Sequence, residues 1–303
     1  MTNLTGFVNI IKPTGMGSTD VVSRVKRILG TKKVGHLGTL DPAASGVLPV
    51  AVGKATKFFD YFLSKDKEYY ALVEFGLKSD TLDSYGEILE KQNVKITEEQ
   101  IKNVMPQFIG EITQIPPKFS AIKINGKRAC DLARENVDFE IKPRKIKIFS
   151  IDLLKNLEQN RFLFKVHCQA GTYIRTLFSD MAEALGTSAI TPVIIRTKSG
   201  AFSTKNAITL EELEKNHQIL SISDIFCDFL NIEVNEFVAK KLINGVKLKI
   251  EDFEKSLSEK NLKLFKTENV KKDFFISFNG EYIGMYRANN NSIENIIYLY
   301  ERT

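Results

Sequence analysis

The order of apolar periods along the chain constrains its fold more than any other feature. In 68–75 the apolar residues Tyr69, Ala71, Val73 and Phe75 recur at every second position, and in 161–169 so do Phe162, Phe164, Val166 and Cys168. That is strand spacing. Val21, Val22, Val25, Ile28 and Leu29 follow helical spacing instead, as do Ile174, Leu177, Phe178, Met181 and Leu185. The two kinds of segment are interleaved without a repeating strand–helix–strand unit. This predicts an α+β fold around a mixed, mainly antiparallel sheet rather than a doubly wound one.

Further strands are expected at 7–11, 119–124, 145–154 and 192–203. Ser18 reads as the N-cap of the first helix, and Thr97 with Gln100 as the capping box of a helix over 97–108. Residues 31–57 carry four glycines and two prolines and read mostly as loop. Beyond residue 230 the texture changes to a short helix near 236–243, a Lys/Glu-rich stretch, and short strands near 274–278, 281–287 and 295–300. A chain of 303 residues has room for a large unit, 1–230, and a small β-rich domain, 231–303.

No run of eighteen apolar residues exists, which argues against a membrane span, and Met1 to Gly6 lacks the pattern of a secretory signal. A cytoplasmic location is expected. Cys130, Cys168 and Cys227 lie far apart and read as reduced, buried thiols, while His36, His167 and His217 are too scattered for a metal site. The net charge of +6 is unevenly spread. Residues 1–60 hold eight basic against three acidic side chains, and 118–147 hold nine against four. Clustered positive charge is the footprint of a protein that follows a phosphate backbone.

The most basic part of the chain also contains its most unusual segment, Gly35-His36-Leu37-Gly38-Thr39-Leu40-Asp41-Pro42-Ala43-Ala44-Ser45-Gly46-Val47-Leu48-Pro49. Asp41 is its single charge. Surface loops are ordinarily polar, so a mostly apolar, glycine-rich loop is one packed and shaped for a purpose. An isolated Asp-Pro pair is usually a turn starter. The whole string, however, resembles the catalytic segment of the TruB family of tRNA pseudouridine synthases. The resemblance continues in order along about 1–205. It includes Lys12-Pro13-Thr14-Gly15 with Ser18, Gly53 to Lys57, Lys67 to Tyr69, Asp80 to Gly86, Gln114 to Pro117 with Ser120-Ala121 and Gly126-Lys127, and Gly171-Thr172-Tyr173-Ile174-Arg175. The chain departs from the family where Leu-Arg-Arg-Thr is usual, reading Ile194-Ile195-Arg196-Thr197, and where a tyrosine is common, with Cys130.

The resemblance implies a pseudouridine synthase fold at 1–230, with an RNA-binding insert at about 105–147, and a PUA-like RNA-binding domain at 231–303. It implies isomerisation of the uridine at position 55, in the TΨC loop of tRNA, to pseudouridine. That reaction breaks the N1–C1′ bond, turns the uracil, and joins C5 to C1′. It neither gains nor loses electrons or a group, so no cofactor or metal is expected. A carboxylate can act at the sugar or base, and the resemblance assigns this to Asp41. Asp41 must stay ionised although desolvated, and Arg175 is the matching guanidinium to offset the burial. Tyr69 corresponds to the tyrosine that stacks on the base and is a candidate to take the C5 proton. His36 resembles the histidine that props the space left by the everted nucleotide. Lys12 and Lys57 resemble residues that organise the loop or contact phosphate. Tyr173 falls on the substrate side, and Ile194 would form an apolar wall beneath the uracil. The expected partner is the tRNA TΨC stem-loop, bound by a monomer with no membrane and no obligatory protein partner. Two alternatives remain open: an RNA-binding or RNA-folding protein without catalysis, and a guide-RNA-dependent synthase of a multi-protein particle.

Overall fold

A computed structural model describes residues 4–120, 122–124, 126–135, 137–267, 273–289 and 291–300. Its larger sheet runs from edge to edge as Gly6–Lys12, Ser45–Val52, Ala189–Ser199, Lys67–Phe75, Arg161–Cys168, Arg144–Asn156 and Gly110–Gln114. Along this path the one parallel pair is Ser45–Val52 with Ala189–Ser199; all other neighbours are antiparallel. This is the expected α+β arrangement. The alternation read in the sequence is what builds it, because Phe162, Phe164, Val166 and Cys168 all turn to the buried face. Helices Ser18–Leu29 and Ile174–Ala184 close that face, with Val21, Val25, Leu177, Phe178 and Met181 in one cluster with the strand residues.

Residues 31–57 are more ordered than their glycines and prolines imply. They contain the strands Val34–His36 and Ser45–Val52, and the latter sits inside the sheet. Pro49 is tolerated because the parallel ladder on one side pairs only Ser45 and Gly46 and has ended before position 49. Gly46 has a φ of +106°, and a Cβ there would lie 2.2 Å from the Arg196 carbonyl oxygen, so no larger residue fits this crossing. Ser18 is not the cap of the first helix. Gly17 is, with its N–H bonded to Asp20 Oδ2 at 3.0 Å, which frees the Ser18 hydroxyl for another task. The capping box at Thr97 and Gln100 forms as read.

In the expected strand 119–124 the structure describes a two-residue hairpin arm, Lys123–Ile124, paired with Lys127–Arg128; residue 121 lies outside the described residues. Of the 105–147 segment, Gly110–Gln114 and the start of Arg144–Asn156 belong to the main sheet, so what lies outside it is 105–109, with the helical turn Met105–Phe108, and the described residues of 115–143. Cys168 is buried, but Cys130 is half-buried and Cys227 exposed, against the expectation for all three.

A second sheet follows residue 230, ordered Asn231–Glu233, Asp273–Phe278, Glu281–Ala288, Ser292–Tyr298, Leu248–Lys249. The Lys/Glu-rich stretch forms two helices, Ile250–Lys255 and Glu259–Thr267, held by buried Phe253 and Phe265. The two sheets are not independent. Phe7, Phe58, Phe62, Phe202 and Phe226 from the first part share one cluster with Phe275, Met285, Ile297 and Leu299 from the second. Phe58 sits at its centre, 5.1 Å from Phe226 and 6.2 Å from Phe275 between ring centroids. Phe58→Ala should therefore cost about 3–5 kcal/mol and destabilise both sheets together in urea denaturation. Weakening confined to one of them would show that the cluster does not couple the two.

Candidate active site

The segment around Asp41 is clamped residue by residue. Arg196, 1% exposed, donates from Nη2 to the Gly38 carbonyl (3.1 Å), from Nη1 to that of Thr39 (3.1 Å) and from Nε to that of Val47 (2.8 Å). The Ser18 hydroxyl donates to the Leu40 carbonyl and accepts from the Leu40 N–H, at 2.8 and 2.9 Å. Lys12, fully buried, donates from Nζ to the carbonyls of Pro13, Met16 and Pro42 at 2.9, 2.7 and 3.3 Å. These partners satisfy carbonyls that the loop, lacking regular structure, cannot pair by itself. They leave Asp41 as the one charged side chain that the loop presents to the cleft, beside Gly38, Thr39, Leu40 and Ala44.

Asp41 Oδ2 accepts from Arg175 Nη2 at 2.7 Å. Arg175, the second residue of helix Ile174–Ala184, is 5% exposed, and the same guanidinium donates to the carbonyls of Thr81 (2.7 Å) and Phe119 (3.1 Å) and to Asp83 Oδ2 (3.3 Å). Asp83 is itself buried and held by the Thr81 hydroxyl (2.6 Å) and the Tyr85 N–H (3.0 Å) through Oδ1. The turn that carries it bends through Leu82 at φ +61°, a left-handed position costly for leucine. A buried guanidinium thus stands between two carboxylates, one sealed and one open. The Asp41 side chain is 39% exposed, so the closed, water-poor pocket expected around it is not built by the protein alone.

The open side is a cleft of about 540 Å³. Asp41, Tyr69, Tyr173, Arg175 and Ile194 all line it, together with Lys67, Arg144 and Arg196. Tyr69 and Arg196 are register partners on adjacent strands, so their side chains share a face. Burial pushes the Tyr69 phenol up to about 12, with Arg196 opposing. Ile194 is 9% exposed and forms the apolar wall. Tyr173 precedes the Arg175 helix; Gln114 clamps its backbone, accepting from its N–H (2.8 Å) and donating to its carbonyl (3.0 Å). The Arg144 guanidinium lies 4.8 Å from the Tyr173 ring centroid and donates to the Gly171 carbonyl.

Three expected residues lie elsewhere. His36 is on the strand Val34–His36 and does not line the cleft; desolvation, with Arg196 adding to it, lowers its pKa and keeps the imidazole neutral. Its Nδ1 is buried and has no hydrogen-bond partner among the described residues. Lys57 is exposed, 5.8 Å from the Tyr298 ring of the second sheet and outside the cleft lining. Lys12 lies beneath the loop with all three N–H groups given to carbonyls, so of its two offered roles the geometry suits organising the loop, not phosphate contact. Sequence reasoning assigned no role to Arg196, Asp83 or Arg144. Asp83 and Arg196 stood inside the quoted motif strings, and Arg144 in the basic 118–147 segment.

Residues 26–174 match the family model described as "TruB family pseudouridylate synthase (N terminal domain)". Fold and cleft accordingly define a pseudouridine synthase, an isomerase. The chain belongs to the TruB family: it is 44% identical over 251 residues to the tRNA pseudouridine synthase B of Clostridium tetani, covering 81% of this chain and 86% of that protein. With the enzyme of the same name from Clostridioides difficile the identity is 42% over 276 residues, 87% of this chain and 91% of that one. Among solved structures, a chain of a Cbf5-Nop10-Gar1 complex superposes with a TM-score of 0.71 at 26% identity, covering 98% of this chain and 85% of that one.

The clamp under the loop gives a pH signature. Burial lowers the Lys12 pKa to about 8, against the pull of Asp41 and with the help of Arg196. Between pH 8 and the ordinary lysine value near 10.5 the folded chain has released this proton while the unfolded chain still holds it, so stability rises with pH across that window. From pH 8 to 9.5 the wild type should gain up to about 2 kcal/mol relative to Lys12→Met, measured by denaturant titration. An equal response of the two proteins would contradict a desolvated Lys12 that releases its proton beneath the loop.

Proposed function

We propose that this chain isomerises the uridine at position 55 in the TΨC loop of tRNA to pseudouridine. The reading rests on the Asp41–Arg175 contact at 2.7 Å, on a cleft whose walls are Tyr69 and Ile194. A looped-out uridine entering the cleft would stack on Tyr69 and rest against Ile194, at an unstacking cost of about a few kcal/mol. Its entry removes water from Asp41, which supplies the desolvation that the open cleft lacks. Arg175 keeps the carboxylate aimed, since two of its four contacts are to backbone carbonyls and it has little freedom to follow Asp41. The carboxylate then attacks or stabilises the reacting centre as the glycosidic bond opens. The Tyr69 phenol, at about 12, stays protonated at neutral pH and serves as a stacking surface and hydrogen-bond donor. His36, held neutral by desolvation on the strand that leads into the loop, is assigned the prop for the RNA that the target nucleotide leaves.

The surrounding surface supports RNA as the substrate. Arg144 over Tyr173 offers a cation and an aromatic face at the cleft, the pairing that holds unstacked nucleotides. The 115–143 segment adds further basic residues beside it. We assign residues 231–300 a PUA-like role that extends the RNA footprint, with Lys57 and Tyr298 near its junction. The enzyme would act as a cytoplasmic monomer without a partner protein, cofactor or metal.

Incubating the purified chain with an unmodified tRNA transcript, and mapping pseudouridine at single-nucleotide resolution, tests this reading. Modification is expected at position 55 alone, with none in a transcript carrying cytidine there. Binding should weaken by about 10³-fold or more between 50 and 200 mM salt, as several phosphate contacts require. A product that forms only when a guide RNA and further proteins are added would transfer the chain to the guide-dependent class. Binding without any product would leave it an RNA-folding protein.

A further inference from the structure

One ionisable side chain lining the cleft has no part in the mechanism above. Lys67 opens the strand Lys67–Phe75 two residues before Tyr69, so both point to the same face. It is 5% exposed. Its Nζ donates to the carbonyls of Leu63 (3.0 Å) and Lys65 (2.5 Å), which close the C-terminal end of the short helix Phe59–Leu63. Lys12 provides the contrast, with three N–H groups for three carbonyls. Among the described residues Lys67 has no third acceptor and no carboxylate within ion-pair distance. One tetrahedral position of its nitrogen is therefore unclaimed, in a residue that lines the cleft. A buried ammonium with a missing acceptor and no counter-ion is unfavourable, whereas a neutral amine keeps both carbonyl bonds and carries a lone pair in the unclaimed position.

We propose that Lys67, as a neutral amine, takes the C5 proton of the isomerising uracil. The proposal rests on the pseudouridine synthase reading and supplies the proton acceptor that it lacks. Once C5 has bonded to C1′, C5 still carries its hydrogen. Lys67 removes that proton, the C5–H electron pair restores the ring's conjugation and leaves charge at N1, and the ammonium returns a proton to N1 directly or through water. The enzyme ends unchanged, and no oxidant or co-reactant is consumed.

The surroundings favour the neutral amine. Burial, reinforced by Arg196 from the neighbouring strand, lowers the Lys67 pKa to about 8 against the opposing pull of Cys168 and Asp66. Asp41, Tyr69 and Arg144 share the cleft. Tyr69, the other candidate acceptor, lies at about 12 and would be ionised in far fewer molecules at neutral pH.

The test uses the full chain and a tRNA transcript carrying deuterium at C5 of its uridines, in single turnover. Lys67→Arg keeps a cation able to reach both carbonyls but cannot accept a proton near neutrality. It should turn over about 100-fold more slowly or worse, bind tRNA within a few-fold of wild type, and show a normal C5 deuterium isotope effect larger than that of wild type. Lys67→Ala should show the same isotope effect and recover rate with added methylamine, more so as pH rises and the free amine increases. The proposal is overturned if Lys67→Arg turns over within a few-fold of wild type, or if both variants are slow without a C5 isotope effect. Failure of the wild type itself on the transcript would sink the functional reading instead.

Discussion

The guanidinium of Arg175 is the interaction on which the rest of the cleft depends. It lies between a sealed carboxylate, Asp83, and an open one, Asp41, and two backbone carbonyls fix its plane. Removing one partner of a buried ion pair is costly, because it leaves a charge without compensation. Asp83 therefore acts less as a reacting group than as an anchor. It ties the cation to the turn at 79–87 through Nη1, so that Nη2 is offered to Asp41. The strained Leu82 in that turn fits a backbone shaped by this contact.

The opposite side of Asp41 is equally constrained. Arg196, Ser18 and Lys12 together hold the carbonyls of residues 38, 39, 40, 42 and 47, so the loop has little freedom to adapt to a ligand. A rigid carboxylate on an open cleft is suited to a large substrate that brings its own exclusion of water. On the proposed reading the protein supplies geometry and charge, and an everted nucleotide would supply the lid. The phenylalanine cluster extends this rigidity to the second sheet, because Phe7 and Val47, on strands bordering the active-site loop, belong to it.

Much of this architecture was legible in the sequence. Period-two alternation located the strands at 67–75 and 161–168, and helical spacing located the helices that cover them. Asp41 and Arg175 were legible through their motifs, 134 residues apart in the chain yet 2.7 Å apart in space. What remained hidden depends on tertiary pairing. Arg196 acts through backbone carbonyls that a parallel crossing brings to it, and nothing in a linear pattern marks such acceptors. Ser18 sat where caps sit, but Asp20 took that task and left its hydroxyl for Leu40. The strand at 45–52 was obscured by the glycine and proline that its crossing requires or tolerates. Lys57 matched its motif and still lies outside the cleft, because motif order does not say which way a turn projects its side chain.

The central claim is that Asp41 is the reacting carboxylate and not merely the outer partner of a structural ion pair. Asp41→Asn retains the shape of the side chain and an oxygen for Arg175, so fold and tRNA binding should change by no more than a few-fold. Single-turnover conversion of a tRNA transcript by this variant is the decisive measurement. Product formation should fall below detection; conversion at a rate near that of the wild type would contradict the account.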